Sequence, residues 1–216
     1  MSFIGPIPRW SQRRRLTIVL ALNAALIVGL VIAGVAANSL SLLAAAGDTV
    51  GDCLGLVLGL IAIAVRDRDP DHPRAQRPIA LAALVNSCLL VLVTCSVVVE
   101  SVSRLASGSP PVSGLPVVIA GVVTMLVMLA GAAVLGRSAA EEDIHMRSVL
   151  LDAIADAAAA AGVAFGGAVI LLAGGLFWVD PVLALVISIF VAIAAVRLGV
   201  KAISALRGQH VDFDDD

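Results

Sequence analysis

The sequence predicts an all-α protein, a bundle of six transmembrane helices with both termini in the cytoplasm. Of the 216 residues, 60% are hydrophobic and only 14% are charged, whereas soluble domains carry nearer a quarter of charged residues. Mean hydropathy is +1.06. Apolar runs long enough to cross a hydrocarbon core of roughly 30 Å recur along the chain. These observations together indicate an integral membrane protein.

The apolar runs place the spans in order. We expect helices near residues 16–36, 40–65, 78–104, 115–135 and 146–176, and a sixth that ends near 206. The first run is too long for a cleaved signal peptide and is followed by further spans. The chain then divides into a cytoplasmic N-terminal segment (1–15), a six-helix transmembrane domain (16–206) and a short acidic cytoplasmic tail (207–216).

The basic residues predict the orientation of the bundle. Arg13–Arg15 precede the first span, and further Arg residues lie in the segment 66–77 between the second and third spans. The connections after the first, third and fifth spans lack Lys and Arg, apart from Arg104 at a helix end. Because positive charge stays on the cytoplasmic side, both termini should be cytoplasmic. The second and fifth helices then run antiparallel.

Two acidic pairs interrupt the apolar pattern. Asp48 and Asp52 lie four residues apart in the second span, and Asp152 and Asp156 repeat this spacing in the fifth. Residues at this spacing share one helix face, with Cβ atoms roughly 6 Å apart. Each Asp at the centre of a membrane helix costs on the order of 2.5–3.5 kcal/mol. Such residues can also cap broken helices or bond to polar neighbours, but the matched pairs favour a shared cation site near the midplane.

Four carboxylates around one point would make an all-oxygen site for a divalent cation. Hard oxygen ligands suit manganese or iron(II), whereas zinc favours His and Cys. Without metal, clustered acids in a low dielectric cannot all stay ionised, so protons would replace the metal and metal would expel protons. The sequence thus provides a physical route to metal/proton exchange.

Four stretches of the chain resemble the cation diffusion facilitator family. They are residues 38–57 around the first Asp pair, 81–86 with 100–105, 146–157 around the second pair, and WVDPVLALVIS at 178–188. The resemblance covers the six helices and implies a divalent metal exporter driven by inward proton flow, and a homodimer. It carries over Asp48, Asp52, Asp152 and Asp156 as the transport site.

The chain departs from the pattern of this family in three ways that matter, one of which is that residues 139–145, between the fourth and fifth spans, do not form a His-rich loop. Zinc-transporting members usually have His first in one or both pairs, and here both are Asp, which favours manganese or iron(II) over zinc. The cytoplasmic metal-binding domain that normally follows the sixth helix is not found in this sequence. We therefore expect a short, membrane-only form in a bacterial inner (cell) membrane.

Other functions remain open at this point. The same site could carry zinc or cadmium, the chain could be a non-transporting partner subunit of another carrier, or it could be a small cation channel. An enzyme is not expected, because there is no nucleotide-binding loop and no Ser/His/Asp constellation. No cofactor and no nucleic-acid partner are expected; the partners implied are divalent metal ions, protons and the lipid bilayer.

Secondary candidates are weaker. Asp69, Asp71 and His72 lie in the polar segment after the second span and could hold a further metal, although a solvated loop explains them as well.

Glu100 and Arg104, one turn apart, are expected to form a structural ion pair at the membrane edge. Glycines at four-residue spacing on the second helix (Gly47, Gly51, Gly55 and Gly59) predict a close helix–helix approach beside the acidic face.

Overall fold

The computed structural model describes the backbone of residues 12–66, 76–139 and 144–207. The side chains of residues 62–66, 76–79, 134–139 and 144–153 lie outside the description, as do those of a few further residues near the N-terminus and Gly59. The described chain forms six helices, which confirms the predicted all-α bundle. Their bounds are α1 Gln12–Ala37, α2 Leu40–Arg66, α3 Gln76–Ser107, α4 Gly114–Ala139, α5 Ile144–Ala173 and α6 Val179–Leu206.

Every helix contains a stretch that is long and apolar enough to cross a membrane. Large apolar side chains such as Ile32, Leu92 and Phe190 point outward, as expected of lipid-facing surfaces. The molecule is therefore an integral multi-pass membrane protein. The predicted limits agree with the helices to within about four residues, and α5 stops at Ala173 rather than near Leu176. Gly174 adopts a positive φ of 64° and donates its N–H to Ile170 O at 3.1 Å, which terminates the helix.

The helices pack most extensively in two pairs, α4 with α5 and α3 with α6. Helix α1 packs on α2 and α4, while α2 also contacts α3 and α6. By contrast, α2 meets α4 and α5 over only a short stretch. The central helix α2 is thus supported mainly by α1, α3 and α6, and it borders the α4–α5 pair without packing closely against it.

Small residues bring α4 and α5 together. A Cβ built on Gly121 would lie 2.7 Å from the backbone N of Ala164, and one on Gly167 would lie 2.8 Å from Val117 Cγ1. Such contacts leave room for no side chain at these two positions, so the backbones approach closely. This packing fixes how far α4 and α5 are shifted along one another, and therefore which α4 residues face the acidic part of α5.

The connection between α1 and α2 is held by neighbouring segments. Asn38 has a φ of 57°, a left-handed conformation that Asn tolerates, and Ser113 N donates to Ala37 O at 3.1 Å. Arg104 of α3 donates to the Asn38 backbone O at 2.8 Å and to its Oδ1 at 3.0 Å. Arg104 also forms an ion pair with Glu100 at 3.0 Å, which confirms the predicted pair. This ion pair orients the Arg104 side chain, which connects α3 to the α1–α2 turn.

Gly47 and Gly51 of α2 face α3 rather than the other acidic helix. A Cβ on Gly47 would lie 3.1 Å from Val93 Cγ1, and one on Gly51 would lie 3.0 Å from Leu90 Cδ1, both side chains of α3. A Cβ on Gly55 would meet nothing within 4 Å. The expectation that this stripe brings the two acidic helices together is therefore wrong at these positions: Gly47 and Gly51 make room for bulky α3 side chains.

Candidate functional site

Three acidic residues of α2 and α5 line a common cavity in the membrane-spanning part of the bundle. Asp48 and Asp52 of α2 and Asp156 of α5 border a space of about 20 Å³, which is room for about one water molecule. All three side chains are half-buried. The remaining lining comes from α2, α4, α5 and α6: Ala45, Thr49, Thr124, Met128, Ala159, Ala160, Val163 and Ile187.

The fourth predicted ligand cannot be placed at this cavity. Asp152 lies on α5, but its side chain is outside the described residues. Within the part of the chain that the structure describes, no three His, Cys, Asp or Glu side chains form a group that could hold a metal ion. Three of the four predicted residues thus border one cavity without forming a closed ligand set, and the four-aspartate site stays a prediction.

Asp48 also borders a second, smaller cavity on its other side. This space of about 10 Å³ lies between α2, α3 and α6, and its polar lining residues besides Asp48 are Thr94 and Ser188. Both of these residues are buried. Asp48 therefore lies between the cavity that it shares with two further aspartates and a mostly apolar space that Thr94 and Ser188 also line.

The two halves of α2 differ in burial. Near its start, Leu40, Ser41, Leu42, Ala44 and Ala46 are all buried. From residue 50 to residue 61, no described side chain is buried. The bundle is thus closed around α2 at the end that carries the α1–α2 turn, and it is looser beyond Asp52.

Asp180 is a buried acid that was not among the site residues predicted from the sequence. It lies in the first turn of α6 and is fully buried. Its Oδ1 accepts hydrogen bonds from Ser39 Oγ at 2.6 Å, Ser41 Oγ at 2.6 Å and Ser41 N at 3.2 Å, and its Oδ2 accepts from Leu40 N at 2.6 Å. Four donors thus compensate the desolvation of this carboxylate.

These bonds join the start of α6 to the start of α2. Ser39 precedes α2, and its Oγ accepts a hydrogen bond from Leu42 N at 3.3 Å, as an N-cap residue does. The negative charge of Asp180 also lies where the partial positive charge of the α2 N-terminus stabilises it. An Asp in the first turn of one apolar helix and a Ser-x-Ser at the start of another were the available sequence signals. We assign Asp180 a structural role, because its oxygens are already used.

The possible secondary metal ligands cannot be located in the described structure. Asp69, Asp71 and His72 lie outside the described residues. Cys53, Cys88 and Cys95 are free thiols, as expected for cysteines in apolar spans. Asn86 is buried, and its Oδ1 has no hydrogen-bond partner among the described residues.

Comparisons with known proteins agree with the resemblance seen in the sequence. The model of the family described as "Cation efflux transmembrane domain" matches residues 16–207. The chain is 31% identical over 192 residues to the zinc transporter ZitB of Yersinia pestis, covering 87% of this chain and 61% of that protein. It is 29% identical over 183 residues to the metal cation efflux system protein CzcD of Cupriavidus metallidurans, covering 83% and 57%.

A third relative is described as a cadmium, cobalt and zinc/H(+)-K(+) antiporter, from Bacillus subtilis. It is 26% identical over 164 residues, which cover 74% of this chain and 52% of that protein. The chain thus spans about three-fifths of the length of the first of these relatives. Since the family match extends over all six helices and includes both acidic pairs, the chain belongs to the cation diffusion facilitator family, through its cation efflux transmembrane domain.

Proposed function

We propose that this chain carries divalent metal cations across the membrane and exports them from the cytoplasm in exchange for protons. The observation that supports this most directly is the cavity shared by Asp48, Asp52 and Asp156 in the membrane-spanning part of the bundle. Asp152, one turn before Asp156 on α5, is proposed as the fourth carboxylate of the transport site.

The physical argument rests on the cost of charge in the membrane. Each ionised carboxylate at this depth costs on the order of 2.5–3.5 kcal/mol, and neighbouring carboxylates repel one another. Three such carboxylates, those of Asp48, Asp52 and Asp156, border the same cavity. A divalent cation bound between the carboxylates would remove both penalties, and it would bind hard oxygen ligands of the kind that the site offers.

Protons provide the other way to neutralise the same groups. A carboxylate must be deprotonated to bind metal, so metal and protons compete for the aspartates. A carrier that loads metal on one side and protons on the other therefore exchanges the two. The name of the Bacillus subtilis relative, an antiporter of metal against H⁺ and K⁺, supports this coupling.

Cargo binding would require α5 to approach α2. In the described structure the three carboxylates border the cavity but do not form a group that could hold a metal. Helix α5 is tightly packed on α4, whereas α2 touches both of them only briefly. We therefore propose that the α4–α5 pair moves as a unit against α2 when the metal binds.

Two groups of metals are candidates for the transported cation. An all-aspartate oxygen site favours manganese or iron(II), because zinc prefers His and Cys ligands. The relatives favour the second candidate, since their names refer to zinc, cadmium and cobalt. We propose manganese or iron(II) on the ligand chemistry, and a direct comparison of metals decides between the two.

Reconstitution into liposomes tests the function. Vesicles that contain the purified protein, a metal-sensitive dye and a pH-sensitive dye should show metal uptake coupled to proton movement in the opposite direction. Metal flux without proton movement would favour a cation channel. Absence of any flux from correctly folded protein would contradict the proposal and favour a partner subunit.

The proposed function also includes the orientation of the chain in the membrane, the membrane in which it lies and its oligomeric state. We propose that both termini are cytoplasmic in a bacterial inner membrane and that two copies form a homodimer. The distribution of Arg and Lys supports the orientation. Labelling of a single cysteine introduced at Ser109, between α3 and α4, by an impermeant reagent on intact cells checks the orientation. Light scattering of the detergent-solubilised protein checks the dimer.

A further inference from the structure

Thr124 of α4 carries a hydroxyl group that the fold leaves without a partner. Its side chain is only 4% exposed, and its Oγ1 has no hydrogen-bond partner among the described residues. A Thr or Ser in an apolar helix can normally bond the carbonyl four residues earlier. Thr49 does so with Ala45 O at 2.9 Å, and Ser96 does so with Leu92 O at 2.9 Å. Thr124 does not use this bond.

The packing of α4 on α5 places Thr124 at the acidic cavity. Gly121, one turn before Thr124, lies against Ala164, and Met128, one turn after it, packs in a cluster with Ala157. Because the two helices are antiparallel, Thr124 lies between these contacts, close to the level of Ala160. Asp156 is one turn from Ala160 on α5. Thr124 accordingly lines the same cavity as Asp48, Asp52 and Asp156.

A second cavity beside Thr124 contains no other described polar side chain that could form a hydrogen bond with its hydroxyl group. Thr124 also borders a groove of about 530 Å³ between α1 and α4. All other residues that line this groove are apolar, and they come from the segments 22–33 and 115–127. A buried hydroxyl without a partner is unfavourable. The polar side chains near Thr124 that could relieve this are therefore those of the acidic cavity, or a ligand bound there.

We propose that Thr124 Oγ1 is an additional oxygen donor to the metal cargo. The inference rests on the proposed function, since it adds a ligand to the proposed transport site. A hydroxyl can offer a lone pair to a cation while its O–H donates to a carboxylate. Thr124 would thus bind the cargo and orient one of the aspartates at the same time.

This ligand has a consequence for the choice of cargo. A neutral oxygen raises the coordination number of the site without adding negative charge. Zinc sites in proteins are almost always four-coordinate, whereas manganese favours six oxygen ligands. A fifth oxygen from Thr124 therefore selects for cations that accept more than four hard ligands, and manganese is the best match among the candidates.

Metal binding to matched variants tests the inference. Thr124→Val removes the hydroxyl and keeps the shape of the side chain, while Thr124→Ser keeps the hydroxyl. Calorimetry on the purified full chain should show an affinity for Mn²⁺ that falls about tenfold in Thr124→Val, with a smaller change for Zn²⁺. Thr124→Ser should restore most of the Mn²⁺ affinity. Equal Mn²⁺ affinity in the wild type and in Thr124→Val would overturn the inference.

A second substitution in the same cavity separates ligand loss from a change in cavity polarity. Thr49→Val also removes a buried hydroxyl from the lining, but that hydroxyl already donates to Ala45 O. Its effect on Mn²⁺ affinity should be clearly smaller than that of Thr124→Val. An equal effect would contradict the role of Thr124 as a donor. If Thr124→Val does not fold, Thr124→Ala replaces it in the same comparison with Thr124→Ser.

The wild type distinguishes this inference from the function on which it rests. Binding and transport of metal by the wild type, with no difference between Thr124→Val and Thr124→Ser, would overturn the role of Thr124 alone. A folded wild type that binds neither Mn²⁺ nor Zn²⁺ would overturn the proposed transport site and the inference together.

Discussion

Asp180 Oδ1 accepts a hydrogen bond from Ser39 Oγ at 2.6 Å and thereby joins the first turn of α6 to the N-terminus of α2. The same carboxylate also bonds Leu40 N and Ser41. The α1–α2 turn is held from another side by Arg104. This end of α2 is thus fixed by hydrogen bonds, while the helix beyond Asp52 has no buried described side chain up to Ile61.

Removing the Asp180 carboxylate should destabilise the bundle. In Asp180→Ala, the buried hydroxyl and N–H donors at the start of α2 lose their acceptor, and we expect a loss of about 3 kcal/mol in stability. Asp180→Asn should lose less, because its amide oxygen can still accept the bonds now made by Oδ1. Thermal unfolding of the purified protein in detergent, followed by circular dichroism, measures both.

A second acid provides the control for this measurement. Glu100 forms an exposed ion pair with Arg104, and exposed pairs are worth at most about 1 kcal/mol. Glu100→Gln should therefore change the unfolding temperature much less than Asp180→Ala. Equal effects of the two substitutions would contradict the structural role assigned to Asp180.

The close contact between α4 and α5 predicts a strong effect at Gly121. The Cβ of Gly121→Ala would lie 2.7 Å from the backbone N of Ala164, and a backbone atom cannot move aside as a flexible side chain can. We expect a loss of about 2 kcal/mol from this overpacking. Gly162→Ala on α5 is the matched control, because its Cβ would meet nothing within 4 Å. Thermal unfolding that is unchanged in Gly121→Ala would show that the contact is not as close as described.

The six helices and the shared helix face of Asp48 and Asp52 could be predicted from the sequence alone. Long apolar runs specify spans by composition alone, and the four-residue spacing of Asp48 and Asp52 determines a shared face through helix geometry. Asp156 borders the same cavity as Asp48 and Asp52, while the four-aspartate site itself stays a prediction. These features depend on local pattern, which a single sequence carries.

Asp180 and Thr124 could not be predicted because their roles depend on tertiary packing. The partners of Asp180 lie about 140 residues earlier in the chain, and only the contact between α2 and α6 brings them together. Thr124 is a single hydroxyl in an apolar run, and its position follows from the fit of Gly121 against Ala164. Gly47 and Gly51 of α2 were misassigned for the same reason: their spacing indicates that another helix can approach, but it does not indicate which helix.

Neutralising Asp156 should stop metal transport. Asp156→Asn keeps the shape of the side chain but removes the charge that we propose binds the cation. In proteoliposomes, metal uptake and proton counterflow should fall to the level of empty vesicles, while the amount of folded protein stays the same. Glu100 does not line the cavity, so Glu100→Gln should transport metal like the wild type. Transport retained by Asp156→Asn would exclude this carboxylate from the site.

Metal binding should release protons. Because carboxylates must be deprotonated to bind a cation, metal affinity should fall as the pH is lowered. Calorimetry at one pH in two buffers of different ionisation enthalpy measures the number of protons released per metal ion. We expect proton release in the wild type and less in Asp156→Asn. Binding without any proton release would argue against exchange of metal for protons at these residues.

The ligand type at the first position of each acidic pair should control which metal is carried. In the double variant Asp48→His and Asp152→His, two carboxylates are replaced by imidazoles, which zinc accepts more readily than manganese does. Competition between Mn²⁺ and Zn²⁺ in the liposome assay should shift towards Zn²⁺ relative to the wild type. The single variant Asp48→His should give a smaller shift, because it changes one ligand on α2 only. Selectivity that is unchanged in the folded double variant would show that these two positions do not select the metal.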